Sequence, residues 1–341
     1  MKNNSLLASA WREYSYVFVF IVIFLVYASS SSGLTLNATM NILRHSAVIG
    51  VIAIGMGMVC ITAEIDLSVG SMLAMVSGLS VIVFNATDSI TLTLLFSVLF
   101  GCFCGLINGV LVGIVKMPSF IVTLATMLIF RSFAQYICQH IDKALAGGGS
   151  SVYRMITKHD MFQSMFTFGN SKFITLPIVG IVLIVFTLAF VYLLESTKYG
   201  KKVYAVGSSY KGAFMAGINV RLIKTSVFVI TGGLVGVASF LWIAMNASSD
   251  PATTGSGYEM YAIAAVVLGG ISMAGGKGRC LGILFGALSY TVIDKIIIAL
   301  KMDSLINDAV KGIILIIVIL IQVAGPQLKE RFSIMKAKAS S

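Results

Sequence analysis

The chain is a succession of apolar segments, each close to the length that a helix needs to cross a bilayer. A spanning helix requires about 20 predominantly apolar residues. The composition of 58% hydrophobic and 11% charged residues gives more apolar surface than a soluble fold can bury. Short alternating runs typical of barrel strands are not seen. The sequence therefore predicts an all-α polytopic membrane protein with about ten transmembrane helices. The predicted spans are residues 14–28, 46–63, 67–84, 90–115, 118–138, 173–194, 225–245, 261–274, 280–300 and 311–325.

The second and eighth of these segments are predicted to be broken helices. Residues 46–63 carry Gly50, Gly55 and Gly57, and residues 261–274 are too short to cross unless their ends are unwound. Irregular backbone is tolerated at membrane depth only where protein or a water-filled path surrounds it. Both segments are therefore candidates for lining a path.

The eighth segment ends in GGKG at residues 275–278, which invites comparison with a phosphate-binding loop. That loop needs a glycine five residues before its Gly-Lys pair and a Ser or Thr after the pair. Ile271 and Gly278 occupy those places, so the match fails. We expect no nucleotide site in this chain.

Basic residues predict the orientation, because cytoplasmic loops carry an excess of Lys and Arg. With the N-terminus inside, fifteen of the 24 Lys and Arg residues fall in cytoplasmic segments. The net charge of +11 is spread among loops, which argues against a nucleic-acid partner. We expect one domain over residues 1–341 with both termini cytoplasmic, an external loop at 139–172 and a basic cytoplasmic loop at 195–224.

A few polar side chains stand in or beside the apolar segments. Asp66, with Ser68 behind it, is expected to cap the third helix, although a cation site or a proton relay is the alternative. Asn108 and Thr123 are suited to hydrogen-bond a neighbouring helix or a passing hydroxylated solute. Arg131, inside the fifth span, is expected to face a cavity or a partner, with reaching towards the interface as the alternative.

Cysteine and histidine give no sign of a metal site or of catalysis. The five cysteines lie in or beside apolar segments without CxxC spacing, and the three histidines are scattered. Buried thiols of this kind act as small hydrophobic groups. We expect no metal and no catalytic residue.

Three segments, in this order, resemble a known family. They are EIDLSVGS at 64–71, YAVGSSYKGAFMAGINV at 204–220 and GYEMYAIAAVVLGGISMAGGKG at 257–278. They are similar to the permease subunits of bacterial ABC importers for monosaccharides, the group that serves ribose, xylose, galactose and related solutes. The resemblance extends from about residue 37 to 325.

The resemblance implies an assembly in the bacterial inner membrane. Two permease chains, identical or paralogous, would lie among membrane lipid, with two ATPase subunits below and an extracytoplasmic solute-binding protein above. The chain also lacks an LSGGQ-like signature, so ATP and Mg²⁺ would bind the ATPase subunits and this chain would not be an enzyme.

Particular residues follow from the same resemblance. The solute path is expected near the broken segments, which adds Tyr258 and Glu259 to Asp66 and Ser68. The loop at 195–224 would contain the coupling helix that docks in a groove of the ATPase. The residues expected to seat that helix are Gly207, Ala213, Ala216, Gly217 and Ile218.

Two other functions were weighed against the importer. A secondary transporter working alone would use Glu64 or Asp66 to couple a proton or a sodium ion. A polytopic membrane enzyme would need a convergent set of reactive residues, and the sequence supplies none.

Overall fold

The computed structural model describes residues 2–30, 35–148, 151–300, 306, 309–313, 316–317 and 320, with side chains from Tyr14 onwards. In chain order the helices are α1 (Lys2–Ser30), α2 (Leu36–Ile61), α3 (Val69–Thr87), α4 (Ile90–Gly109), α5 (Ser119–His140), α6 (Phe162–Asn170), α7 (Ile178–Val191), α8 (Lys198–Ser208), α9 (Tyr210–Met215), α10 (Val220–Asn246), α11 (Tyr258–Leu268) and α12 (Cys280–Ala299). Turns of π-helix extend α4 over Val110–Ile114 and α7 over Tyr192–Ser196.

Two short antiparallel ladders accompany the helices. Strand β1 (Tyr153–Arg154) pairs with β4 (Ser248–Ser249), and β2 (Lys172–Phe173) pairs with β3 (Leu176–Pro177). The first ladder joins the segment before α6 to the segment after α10, so it brings two distant parts of the chain together.

Short polar side chains begin several helices. Thr35, Ser89, Ser209 and Asn219 each accept a hydrogen bond from a backbone N–H three residues ahead, at the start of α2, α4, α9 and α10. Such caps satisfy N–H groups that have no partner within the helix. The helix starts are thus encoded locally.

Helices α2, α3 and α10 form the centre of the protein. Between 78% and 83% of the most apolar part of each is buried, whereas the figure is 28% for α4, α5 and α7. Helix α10 packs against α4, α2 and α3, and α12 packs against α11, α1 and α2. The outer helices therefore offer wide apolar faces to lipid or to another chain.

Seven of the described helices are long and apolar enough to cross a membrane once the π-helical turns that extend α4 and α7 are included, namely α2, α3, α4, α5, α7, α10 and α12. Two shorter apolar helices cover Tyr14–Ser30 and Tyr258–Leu268. This confirms a mostly helical polytopic membrane protein. Most of the tenth predicted span, residues 311–325, lies outside the described residues, so the count of ten stays a prediction.

The second segment differs from its prediction, because α2 runs unbroken from Leu36 to Ile61. Its glycines serve close packing: a Cβ at Gly50, Gly55 or Gly57 would lie within 3 Å of a side chain on α7, α10 or α12. The chain becomes irregular only after α2, over residues 62–68. The glycines marked close contacts between helices, and the predicted break was wrong.

The eighth segment has an interruption inside its predicted range. Helix α11 ends at Leu268, and residues 269–279 are non-helical up to α12. Gly270, Gly275 and Gly276 have positive φ angles of 80°, 86° and 69°, which other residues rarely adopt. These glycines allow the backbone to leave the helical conformation and turn after Leu268.

A row of glycines brings α4 against α10. Gly101, Gly105, Gly109 and Gly113 recur every four residues and therefore lie on one face. A Cβ at each would come within 2.3–2.7 Å of α10 oxygens, including backbone carbonyls of Phe228 and Gly232. Small residues of this kind allow close approach where lipid supplies no hydrophobic driving force between helices.

Replacing Gly105 with valine should separate these helices, because the new Cβ would lie 2.3 Å from the Phe228 carbonyl oxygen. We expect a destabilisation of about 3 kcal/mol, at the upper end for overpacking, measured by thermal unfolding in detergent. Leu99→Val, on the same helix at a side chain that is 59% exposed, is the matched control. Equal melting temperatures for the two variants would contradict the packing.

Candidate functional site

The turn at residues 62–68 holds a buried polar cluster. The backbone N–H and the hydroxyl of Ser68 both donate to Asp66 Oδ1, at 2.9 and 2.6 Å, and Asn108 Nδ2 donates to Ser68 Oγ at 2.8 Å. All three side chains are 0% exposed. The cluster therefore fastens the turn to α4 from inside the protein.

Helix α5 binds the same turn through its first residues. Ser119 Oγ accepts from the N–H of Ile65 at 3.3 Å, and Thr123 Oγ1 donates to the Ile65 carbonyl at 3.4 Å. The structure thus gathers Asp66, Ser68, Asn108 and Thr123, four of the residues predicted for the path, around one turn.

Asp66 stabilises the turn at 62–68 and does not cap the third helix. Its carboxylate binds the N–H of Ser68, the residue that precedes α3, and among the described residues the Ser68 side chain makes no capping bond to α3. Two oxygens of the cluster, Asp66 Oδ2 and Asn108 Oδ1, are buried without a hydrogen-bond partner in the described part of the chain. Buried acceptors without donors are costly, so the cluster is suited to receive a hydrogen-bond donor.

A second irregular segment, residues 247–257, joins α10 to α11 at the depth of the spanning helices. Ser249 Oγ lies 2.8 Å from Ser77 Oγ, near the middle of α3. Further along, a Cβ at Gly255 would be 2.3 Å from the carbonyl oxygen of Gly70. The backbone of this segment therefore runs along α3, where lipid cannot satisfy its polar groups.

Arg131, near the middle of α5, holds this segment in place. Its Nη1 donates to the backbone carbonyls of Pro251 at 3.0 Å and Thr254 at 2.6 Å. The sequence shows the charge inside an apolar run but not its acceptors, which lie about 120 residues away. Arg131 therefore clamps the 247–257 segment, which fits the expectation that an intramembrane charge faces a partner.

Tyr258 and Glu259 lie at the start of α11, directly after this segment. The Glu259 carboxylate reaches the first turn of α3, where a Cβ at Gly70 would be 2.4 Å from Oε2. Tyr258 packs edge-on against Trp242. Both predicted path residues are half-buried. They lie beside the 247–257 segment and not at the turn at 62–68.

Helices α8 and α9 form a separate surface at the end of the molecule near turn 62–68. Gly207 packs inwards, since a Cβ there would be 1.7 Å from the Ile61 carbonyl oxygen, and Ala213 is also buried. Ala216 is exposed, Ile218 is half-buried, and Gly217 has a φ of 76° with open space around its Cα. The predicted coupling residues therefore divide between internal packing and surface.

The exposed part of α9 is apolar and was missing from the predicted set. Tyr210, Phe214 and Met215 are 48%, 66% and 86% exposed. Tyr210 and Phe214 are four residues apart and share a helix face, a spacing that was visible in the sequence. Beside them, a groove of about 630 Å³ is also lined by Lys116 and Arg221.

Tyr204 fixes α8 to the residues before α12. Its hydroxyl donates to the Gly278 carbonyl at 2.8 Å, and burial raises the pKa of Tyr204 to about 12. The phenol therefore stays protonated and remains a donor at neutral pH. The N–H of Gly276 adds a bond to the Ile61 carbonyl at 2.8 Å, so α2, α8 and the 269–279 segment meet here.

A further groove, of about 520 Å³, lies among α4, α7 and α10 and is lined by apolar residues together with Gly233. It offers no polar side chain to a hydroxylated solute. Among the described residues, no group of three or more His, Cys, Asp and Glu could hold a metal ion.

Comparison with known proteins identifies the family. The model of the family described as "Branched-chain amino acid transport system / permease component" matches residues 38–319. The chain belongs to this family. The ribose import permease protein RbsC of Escherichia coli K12 is 32% identical over 314 residues, which cover 92% of this chain and 94% of the relative.

Two further relatives are also named as import permeases. RbsC of Bacillus subtilis 168 is 33% identical, over 89% of this chain and 90% of its own length. The autoinducer 2 import system permease protein LsrC of Salmonella typhi is 30% identical, over 85% and 79%. No solved structure matches significantly. The resemblance to permeases of monosaccharide importers is therefore confirmed, and a stand-alone transporter is not favoured.

Asp66→Ala should destabilise the permease, because the Ser68 N–H and hydroxyl would lose their acceptor inside the protein. We expect about 1–3 kcal/mol, the cost of an unsatisfied buried group, from thermal unfolding in detergent. Asp66→Asn keeps an oxygen at the Oδ1 position and should cost less than half as much. Equal losses for both variants would show that the Oδ1 bonds are unimportant.

Arg131→Met should loosen the 247–257 segment, because two carbonyls lose a charged donor. The expected loss is about 1.5–3 kcal/mol, as for hydrogen bonds to charged groups, read from the same unfolding measurement. Arg154→Met, which removes an exposed arginine, is the control and should leave stability unchanged. If the two variants unfolded alike, the clamp assigned to Arg131 would be wrong.

Proposed function

We propose that this permease takes up a sugar or similar small hydroxylated solute, delivered by an extracytoplasmic binding protein and driven by ATP hydrolysis on separate ATPase subunits. The observation that carries the proposal is the polar, irregular 247–257 segment at membrane depth, within a chain whose relatives are named import permeases. Interrupted segments of this kind typically form the solute sites of transporters.

The polar cluster supports a hydroxylated solute. Asp66 Oδ2 and Asn108 Oδ1 are acceptors without donors, and hydroxyl groups provide donors. The cluster is fully buried, so we infer that it meets the solute in another state of the transport cycle. The relatives' printed names, ribose import and autoinducer 2 import, favour this solute class over branched-chain amino acids.

The path is proposed to lie on the exposed side of the 247–257 segment. Ala252, Thr253 and Ser256 are exposed there, which is unfavourable against lipid. Neighbouring α5 presents a wide apolar face, with Leu128 60% and Phe133 55% exposed. A second permease chain, identical or paralogous, would cover this face and enclose an aqueous path beside the segment.

The ATPase is proposed to dock on α9. Phe214 and Met215 project from this short helix beside a groove lined by Lys116 and Arg221, and an apolar projection with a polar rim is typical of a protein interface. Lysine and arginine are frequent at this end of the molecule, which favours a cytoplasmic position. ATP and Mg²⁺ would bind the partner, while this chain changes shape.

Met215→Asp should weaken ATPase association, because it places a charge at the centre of the proposed contact. We expect copurification of the ATPase with the tagged permease to fall about tenfold, corresponding to roughly 1.4 kcal/mol. Ile174→Asp is the matched control: Ile174 is 87% exposed against 86% for Met215 but lies outside the α8–α9 surface.

The two variants separate the possible results. Normal insertion of both, with loss of the ATPase only for Met215→Asp, supports docking on α9. Undiminished copurification with Met215→Asp contradicts that docking site. Absence of any ATPase from the unsubstituted permease would contradict the proposed function itself.

A further inference from the structure

An ion pair joins turn 62–68 to the start of α10. Lys224 Nζ contacts Glu64 Oε1, and the two side chains are 19% and 14% exposed. Opposite charges withdrawn from water interact more strongly than surface pairs, and removing one partner leaves an uncompensated charge. The pair therefore forms a definite link between two elements and is not a solvated surface contact.

Lys224 also contacts the helix proposed to meet the ATPase. Its ammonium group lies 5.9 Å from the centroid of the Tyr210 ring, at the first residue of α9. Cations over aromatic faces at this distance are attracted to the ring. Glu64, Tyr210 and Lys224 line one small cavity of about 260 Å³, so α9, α10 and the turn converge on a single ammonium group.

From Glu64 the contacts continue to the buried polar cluster. Ile65, the next residue, is bonded through its N–H and its carbonyl to Ser119 and Thr123 of α5. Asp66 follows and binds Ser68, which accepts from Asn108 of α4. A shift of Glu64 would therefore displace three consecutive residues of the turn that are tied to two spanning helices.

We propose that Glu64 and Lys224 are positioning residues that transmit movement of α9 to turn 62–68, and through it to the Asp66–Ser68–Asn108 cluster. This inference rests on the proposed ATPase docking. The ion pair and the Lys224–Tyr210 contact together act as a tether, so that α9 and the turn move together when the ATPase subunits close. Breaking it leaves docking intact while the turn no longer follows.

The test uses cysteine accessibility in the complete complex of permease and ATPase. Ala63→Cys, an exposed position beside Glu64, reports on the turn through its rate of reaction with a water-soluble maleimide. We expect trapping with ATP, Mg²⁺ and vanadate to change this rate about fivefold or more, the lower range of allosteric coupling. In Glu64→Gln and in Lys224→Gln, the rate should be the same with and without trapping.

One further variant separates a tether from a merely structural role. Lys224→Arg keeps the positive charge beside both Glu64 and the Tyr210 ring, so it should keep the response. A response that persists in Glu64→Gln, or one that is lost in Lys224→Arg, overturns the proposal. A merely structural role predicts a different pattern: loss of the pair would lower stability, while trapping with vanadate would still change the maleimide rate.

A second reporter distinguishes the inference from the proposed function. Met215→Cys should be protected from the maleimide by the ATPase, both in the otherwise unsubstituted permease and in Glu64→Gln. If Met215→Cys is unprotected even with Glu64 and Lys224 present, docking on α9 fails and the inference fails with it. If it is protected but Glu64→Gln leaves the Ala63→Cys response unchanged, only the inference is overturned.

Discussion

The structure depends on satisfying irregular backbone inside a bilayer, where lipid offers no hydrogen bonds. Residues 247–257 leave the helical pattern beside α3, and the arrangement works because Arg131 donates to the Pro251 and Thr254 carbonyls. Gly70 and Gly255 allow the backbones to touch. These contacts place exposed polar groups at membrane depth, which a permease for a hydroxylated solute requires. A non-helical segment alone in a bilayer would be costly. The contacts of residues 247–257 with α5 and α3 explain why this segment is stable.

The turn at 62–68 is the second such place, and it connects the two ends of the proposed mechanism. At one end of the turn, Glu64 binds Lys224, which also contacts Tyr210 at the start of α9. At the other end, the turn holds the Asp66, Ser68 and Asn108 side chains together. Neighbouring Ile61 accepts from Gly276 and touches Gly207. Close-packed interiors transmit strain, which makes this junction a natural route from a docking surface to a polar site.

Much of this could be predicted from the sequence, because membrane helices are encoded locally by apolar length and by caps. The motif at 64–71 contains Asp66 and Ser68 of the buried cluster, and the non-helical residues after Leu268 include glycines with positive φ. What failed depended on distant partners. Gly50, Gly55 and Gly57 suggest a break in the helix, but in the fold they accommodate side chains of three other helices. The acceptors of Arg131 and the inward packing of Gly207 arise only when the chain is folded. Phe214 and Met215 are not among the predicted coupling residues, because the packing of the folded chain decides which side chains of α9 stay exposed.

Uptake of the radiolabelled sugar that the binding protein binds tests the central claim most directly, with the permease, its copurified ATPase and its binding protein reconstituted together in proteoliposomes. The account predicts accumulation that requires ATP on the α9 side and binding protein on the other, and that is unaffected by ionophores which collapse proton and sodium gradients. Accumulation by the permease alone, abolished by those ionophores and indifferent to ATP, would contradict it.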